Sequence, residues 1–333
     1  MRRTLAAALG LAAVGAAAVA LADDPGDPAG PLGGEESART ARFDRWVPLR
    51  SARLARTEVA AARVGNFIYV VGGFVRSGNA TTAAVERYDI RRNRWARVRD
   101  MPVGLNHPAA VAHGGRLYVL GGYTADASLA GETNAFLRYD PARNRWSRMP
   151  PMPTRRAALA AGVIGDRIYA AGGATSGGTT FRRLEVFDLR TRRWARGPDM
   201  AVAREHVAGA VSGRAFYVLG GRPGDLAVAE RYVPARRRWQ RLRDLRTPRS
   251  GIAAATVGRL VVVFGGETGR GTIRPVEAFD PRTGRWRALP GMRTPRHGLG
   301  GASLGRRVYA LEGGPQPGFA FSRALEVLDV RGG

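Results

Sequence analysis

The chain has 333 residues, of which 44% are hydrophobic, and a formal net charge of +26. All of its 53 basic residues counted as Lys or Arg are arginines. It contains no cysteine, which excludes disulfides, zinc–thiolate centres and thiol nucleophiles. The arginines recur throughout the chain and form no basic tail. We therefore interpret the charge as a compositional bias and disfavour a nucleic-acid partner.

The N-terminus predicts an exported protein. Residues 1–22 have the form of a signal peptide: Arg2-Arg3, an apolar run from Leu5 to Leu21, and the small-x-small sequence Ala20-Leu21-Ala22. A retained membrane anchor is the alternative, but a run of about 17 alanine-rich residues is short for a span. We expect cleavage after Ala22, no stable membrane span, and a periplasmic or extracellular location. Residues 23–42, rich in Pro, Gly and charge, predict a flexible linker.

From Phe43 onward, short strand patterns recur. The first full set is a small-residue strand, a β-branched and aromatic strand ending at a glycine pair, and two further strands, at 59–64, 67–71, 85–90 and 95–98. Turn residues separate them. Four such strands predict one antiparallel sheet.

Two markers repeat in register with these strands. Glycine pairs stand at Gly72-Gly73, Gly121-Gly122, Gly172-Gly173, Gly220-Gly221, Gly265-Gly266 and Gly313-Gly314. The tryptophans are Trp46, Trp95, Trp146, Trp194, Trp239 and Trp286, spaced 45 to 51 residues apart. A constant period of this length is typical of propeller blades.

A third element lies between each glycine pair and its tryptophan. It has the form Glu-x-aromatic-Asp at 86–89, 185–188 and 277–280, with Leu137, Val233 and Leu328 departing from it in the other repeats. Together these features resemble the kelch repeat over residues 43–333. The resemblance implies an all-β, six-bladed kelch-type β-propeller with four-stranded antiparallel blades.

The two ends of the repeat array complement each other. Trp46 stands before the first complete repeat, and the last repeat stops after Leu325 to Val330 without a tryptophan strand. We therefore expect the N-terminal strand to close the last blade, which removes an exposed sheet edge.

This topology sorts the loops onto two faces. Face A is the end where each blade's first strand begins and where the loops after the glycine pairs lie. Face B carries the turns before the tryptophans. On face B an arginine precedes every tryptophan (Arg45, Arg94, Arg145, Arg193, Arg238 and Arg285). We interpret these as edge-strand charge; the alternative, an anion- or nucleic-acid-binding rim, lacks the interleaved aromatics of single-strand binders.

Face A carries the candidate site. Five of six repeats place an arginine before the first strand: Arg56, Arg156, Arg204, Arg249 and Arg296, with Leu105 in the second repeat. This arginine column is either a preorganised anion site at the channel mouth or a structural part of each blade. The residues that follow do not repeat, and they complete the candidate ligand-binding set: Glu58, His107, Glu205, His206, Ser250 and His297.

Imidazoles and carboxylates at one mouth are suited to ligand binding or proton transfer. The sequence contains no His-x-x-x-His or Glu-x-x-His spacing at these positions, so neither a metal nor a cofactor is predicted. No catalytic residue is assigned.

A propeller fold does not fix a function. We expect a binding propeller whose partner on face A is a protein or an anionic small molecule or carbohydrate. One alternative is an enzyme: the exported six-bladed architecture is similar to that of periplasmic sialic-acid epimerases (mutarotases), which implies a sugar epimerase or mutarotase acting on an anionic sugar such as sialic acid. The other alternative is an extracytoplasmic structural scaffold.

Overall fold

Residues 43–331 contain six four-stranded antiparallel sheets. A computed structural model describes residues 43–331, and the predicted signal peptide and linker lie outside the described residues. The helical content of this part is two short 3-10 turns, Ser77–Asn79 and Pro234–Arg236. No helix within residues 43–331 has both the length and the apolarity to cross a membrane. The predicted all-β, six-bladed propeller is confirmed.

Each blade runs from an inner to an outer strand, and blades are numbered in chain order. Blades 1 and 2 comprise Ala60–Val64, Phe67–Val71, Val85–Asp89 and Arg94–Arg97, then Ala109–His113, Arg116–Leu120, Phe136–Asp140 and Arg145–Arg148. Blades 3 and 4 comprise Ala160–Ile164, Arg167–Ala171, Leu184–Asp188 and Arg193–Arg196, then Ala208–Ser212, Ala215–Leu219, Ala229–Val233 and Arg238–Arg241. Blade 5 comprises Ala253–Val257, Leu260–Phe264, Val276–Asp280 and Arg285–Leu289. Blade 6 comprises Gly300–Leu304, Arg307–Leu311, Leu325–Asp329 and, as its outer strand, Val47–Leu49.

The closure of blade 6 by the start of the chain is confirmed. Val47 pairs with Val327 and Leu49 with Leu325 in an antiparallel register. The backbone amide of Phe43 also donates to the Asp329 carboxylate at 3.1 Å. The sheet edge that an open array would leave is therefore covered.

The tryptophans link neighbouring blades. Each indole N–H donates to a backbone carbonyl four residues after the preceding tryptophan in the ring, at 2.7–2.9 Å. Trp46 completes the ring by donating to the Pro290 carbonyl. Every blade is thus tied to its predecessor by a bond that also satisfies a buried or half-buried indole.

Crowding at the axis explains the small residues of the inner strands. A Cβ on Gly209 would lie 2.5 Å from the Ala161 carbonyl oxygen, and one on Gly162 would lie 2.6 Å from the Phe216 ring. Glycine at these two positions therefore leaves the room that the innermost strands need to approach each other.

The glycine pairs allow an equally close approach between blades. Gly72 has φ +65°, and a Cβ there would lie 2.1 Å from the Leu105 carbonyl oxygen of the next blade. The sixth pair is not Gly313-Gly314, as the sequence suggested. Glu312 (φ 55°) and Gly313 (φ 93°) hold the backbone positions that the other pairs hold. With this correction, the column position lies 16 residues before the first pair residue in every repeat.

Two small two-stranded sheets lie in face A segments. Arg56–Thr57 pairs with Phe74–Val75, and Glu267–Thr268 pairs with Gly271–Thr272. Similar single-residue bridges join Asn106 with Tyr123 and Glu205 with Arg222 in other repeats. The segment before each first strand is thereby held against the loop after the glycine pair, as the topology predicted.

Candidate binding site on face A

The arginine column is buried inside the blades. All five side chains (Arg56, Arg156, Arg204, Arg249 and Arg296) are 0% exposed. The guanidinium of Arg156 donates to the carbonyls of Ala170, Gly172 and Arg183 at 3.0–3.1 Å. Burial lowers the pKa of Arg156 to about 10, so the group remains charged at neutral pH. A side chain with no exposed surface and with three backbone carbonyl partners in its own blade is part of the blade's framework.

Each of these arginines pairs with the glutamate of its own Glu-x-aromatic-Asp element. The pairs are Arg56–Glu86, Arg156–Glu185, Arg204–Glu230, Arg249–Glu277 and Arg296–Glu326. The glutamates also accept backbone amides of the incoming segment; for example, Glu277 accepts from Arg246 and Thr247 at 2.7 and 3.0 Å. The two columns together therefore fix the start of each blade.

Blade 2 lacks both members of the pair. Leu105 replaces the arginine and Leu137 replaces the glutamate, and both are buried in the same hydrophobic cluster. Replacing a buried ion pair by packed apolar side chains is energetically tolerated, whereas replacing one member is not. The joint replacement favours the architectural interpretation of the column.

The axis on face A is closed by a backbone ring. The residue at the inner end of each blade adopts φ between 51° and 62°; these residues are Glu58, His107, Ala158, His206, Gly251 and Gly298. Consecutive members are joined by N–H···O=C bonds of 2.9–3.0 Å, and the Gly298 carbonyl closes the ring on the amide of Val59 at 3.1 Å. Four ring positions hold a side chain at a left-handed backbone that glycine adopts more easily.

Three of those side chains converge over the axis, joined by neighbours. We name this set the axial cluster: Glu58, Glu205, Arg222, His107, His206, His297 and Glu267. Glu58 lies at its centre, with Oε2 3.1 Å from His107 Nε2 and Oε1 3.1 Å from His297 Nδ1. A Cβ on Gly298 would lie 2.6 Å from the Glu58 carboxylate, so this glycine makes room for it.

The other half of the cluster is built on blade 4. Glu205 contacts His206 Nδ1 and accepts a 2.6 Å bond from Arg222 Nε, while Arg222 also contacts His206 Nε2. The His107 and His206 rings meet edge to face with centroids 4.7 Å apart. The cluster therefore spans the channel mouth from blade 1 through blades 2 and 4 to blades 5 and 6.

Burial and neighbouring charged groups shift the pKa values of the ionisable side chains in the axial cluster. Burial lowers the pKa of His107 to about 3, although Glu58 opposes this. Burial alone would raise the pKa of Glu58, but the imidazoles of His107 and His297 hold it below its ordinary value. Burial alone would lower the pKa of His297, but Glu58 raises it. Glu58 and His297 therefore stabilise each other's charged forms.

Some buried polar atoms here lack hydrogen-bond partners. Both ring nitrogens of His297 and Glu267 Oε2 have no hydrogen-bond partner within residues 43–331, although His297 is only 2% exposed. Buried polar groups in proteins are nearly always satisfied, so these atoms are exceptions at the axis.

Not every predicted residue joins the cluster. The axial cluster contains five of them: Glu58, His107, Glu205, His206 and His297. Ser250 is buried and pairs through its backbone with Glu267, but its side chain is not part of the cluster. Two members, Arg222 and Glu267, were not predicted as site residues. Each directly follows a glycine pair, in a column whose residue type changes from repeat to repeat; that irregularity was the available signal.

Two exposed apolar side chains lie on face A, and we call them the apolar rim. Among the described residues, Leu129 (42%) and Phe319 (46%) are the exposed large hydrophobic side chains, and both lie in face A loops. Phe319 contacts Phe74 edge to face at 5.2 Å, and Phe74 in turn contacts His107 at 5.9 Å. Aromatic contacts therefore lead from the loop tip to the axis.

Face B differs in character. Its six arginines before the tryptophans are exposed, and none of them forms an ion pair within residues 43–331. His113 also lies at this end and pairs with Asp166 at 3.0 Å. These groups repeat around the ring and converge on no centre.

The closed ring of four-stranded sheets places the protein in the class of six-bladed β-propellers. Residues 58–244 match the KLHDC2/KLHL20/DRC7 Kelch-repeats domain, and residues 248–293 match the Kelch motif. The first match alone covers more than half of the chain, which belongs to the kelch-repeat family. A similar curated protein is human (Homo sapiens) Kelch-like protein 34, 40% identical over 53 residues, or 16% of this chain. The matched segment spans only 8% of that protein's length.

Proposed function

We propose that this chain is an exported binding propeller that engages a protein or carbohydrate partner through the axial cluster and its apolar rim on face A. The proposal rests on the departure of this face from the repeat. The column arginines and the face B arginines recur from blade to blade, whereas the axial side chains follow no regular repeat and still converge. The exposed Phe319 adds support, because aromatic side chains are enriched in protein interfaces relative to the rest of the surface.

The charge of the partner is a finer part of the proposal. The column arginines are paired with glutamates and contribute little net positive field. An anionic partner would instead meet Arg222, which is 34% exposed, and the exposed Arg76 and Arg270 of the face A loops. Charge-assisted bonds to these groups would supply the preference.

The export part of the proposal rests on the sequence of residues 1–22. We expect mass spectrometry of the secreted or periplasmic protein to find Asp23 as the first residue. A soluble cytoplasmic pool beginning at Met1 would contradict export.

The binding face is tested by comparing two pairs of substitutions. Leu129→Ser/Phe319→Ser removes the apolar rim of face A, and Arg94→Ala/Arg145→Ala changes face B as the matched control. Each protein is used in crosslinking to exported proteins and on an array of neutral and anionic glycans. We expect the wild type and the face B pair to bind the same partner with the same affinity. The face A pair should bind it at least tenfold more weakly. Loss in the face B pair alone would overturn the proposal.

A sugar epimerase or mutarotase is the second candidate. The observation in its favour is the Glu58–His297 pair, whose pKa values are shifted in opposite directions at the axis. An acid and a base with separated pKa values are what proton transfer at an anomeric centre requires. Exchange spectroscopy on N-acetylneuraminic acid would detect an accelerated anomer exchange that Glu58→Gln abolishes.

A further inference from the structure

The hydrogen bonds of Asn106 fix the tautomer of His107. The Asn106 amide nitrogen Nδ2 donates to Thr81 Oγ1 at 2.8 Å and to the Ala125 carbonyl at 3.2 Å. Its oxygen Oδ1 must therefore face His107 Nδ1, at 2.7 Å. Because an amide oxygen only accepts, Nδ1 carries the proton and Nε2 presents a lone pair.

That lone pair faces another acceptor. His107 Nε2 lies 3.1 Å from Glu58 Oε2, and the two side chains are 3% and 12% exposed. A neutral imidazole nitrogen and a carboxylate oxygen repel each other in a buried place unless a cation lies between them. Either a proton or a metal ion between the two atoms would relieve this repulsion.

A third ligand stands beside the first two. His206 Nδ1 contacts the Glu205 carboxylate, which leaves Nε2 as the lone-pair nitrogen of this ring. One ligand atom from each of Glu58, His107 and His206 lies within 4.8 Å of the others. Asn106 and Glu205 orient the two imidazoles in the way that outer partners of metal-bound histidines do.

We propose that Glu58, His107 and His206 bind a first-row divalent transition metal such as Zn²⁺ at the axis of face A. Two imidazoles and one carboxylate match the ligand set of zinc sites that keep a further position open. The ligands come from blades 1, 2 and 4, which is why local spacing in the sequence predicts no metal. This proposal does not depend on the nature of the partner proposed above.

Arg222 competes with the metal. Its guanidinium contacts His206 Nε2 and Glu205, so a metal on that nitrogen requires the side chain to swing aside. With 34% of the side chain exposed, it can do so toward solvent. Removing this positive group should therefore tighten metal binding, the opposite of what loss of a structural contact would do.

The test uses untagged protein, stripped with a chelator and titrated calorimetrically with Zn²⁺, and spectroscopically with Co²⁺, which accepts the same ligands. We expect one equivalent to bind, with His107→Ala and His206→Ala weakening binding at least tenfold. Asn106→Ala should weaken it about 10- to 100-fold through loss of imidazole orientation. Arg222→Ala should tighten it, and His113→Ala on face B is the matched control that changes nothing.

Two results would overturn the proposal. One is no stoichiometric binding to the wild type below about 1 mM metal. The other is binding that His113→Ala weakens while Arg222→Ala leaves it unchanged. If His107→Ala fails to fold, the wild-type titration and the Arg222→Ala comparison still decide between the outcomes.

Discussion

Arg204 illustrates how one buried residue holds a blade together. It pairs with Glu230 and donates to the Val218 carbonyl at 2.9 Å without any exposed surface. Arg204→Ala should lower the free energy of unfolding by about 3–5 kcal/mol, because it leaves Glu230 charged and buried. Urea denaturation measures this, with Arg94→Ala on face B as a control expected to stay within about 0.5 kcal/mol. Unchanged stability in Arg204→Ala would show that the column is not architectural.

Blade 2 supplies the design for a second residue-scale prediction. Because Leu105 and Leu137 replace the ion pair there, Arg204→Leu/Glu230→Leu should be more stable than Arg204→Leu alone. The single variant strands a carboxylate in the core, and the double variant removes it. A double-mutant cycle in urea should give a coupling energy of about 0.5–3 kcal/mol. Strictly additive effects would mean that the two side chains do not act as a pair.

For single residues, the sequence predicted where the arginine column and the axial side chains lie, but not which residues they contact. The arginine column could be found by counting from the glycine pairs, and Glu58, His107 and His206 by their irregularity. Their partners could not, since Arg204 meets Glu230 only when two strands fold against each other. The joint loss at Leu105 and Leu137 was the one sequence sign that the columns pair.

Among the elements, the junction between blades 6 and 1 is distinct. Glu312 stands where the other blades have glycine, and its carboxylate accepts two 2.8 Å bonds from Arg56. Arg56 also forms an ion pair with Glu86, so two buried carboxylates share one guanidinium. The blades that the chain joins last thus have an added ion pair.

This junction predicts a dependence of stability on pH. Burial, with the Glu86 carboxylate, raises the pKa of Glu312 from 4.5 to about 7 against the effect of Arg56. A raised pKa in the folded state gives stability that is complete below pH 4.5 and is lost as the pH rises through 7. The wild type should therefore lose stability relative to Glu312→Gln over this range. Urea midpoints at pH 4.5, 5.5 and 7 measure the difference, and parallel pH profiles would contradict it.

The same junction shows a limit of pattern reading. The run Glu312-Gly313-Gly314 contains two consecutive glycines, so the sequence pattern predicts Gly313-Gly314 as the glycine pair. The backbone bonds place Glu312 in the first position instead, with Gly313 donating to the Arg56 carbonyl at 2.9 Å. Register within such a run is set by the neighbouring blade, which the local sequence does not contain.

For the whole molecule, closure of the ring depends on residues 43–50. Deleting them removes Trp46, which is 4% exposed, from the core and bares the edge of the strand Leu325–Asp329. The loss should amount to several kcal/mol, about 3–5 for the tryptophan alone. We also expect self-association, since an open edge pairs with other chains. Calorimetry and light scattering test both; an unchanged melting temperature in a monodisperse variant would refute this closure.

The pairing of the first strand with the last blade also has a consequence for how the ring forms. Phe43 and Asp329 are in contact although they lie 286 residues apart in sequence. Contacts of such separation make folding slow, because a long chain must be organised before they contribute. During synthesis, blades 2 to 5 can each pack on the preceding blade as they emerge. The strand Val47–Leu49 has no partner strand until blade 6 has been synthesised. Among the described strands, the first to be synthesised is thus the last to pair, and until then its edge and that of blade 6 are open to other chains.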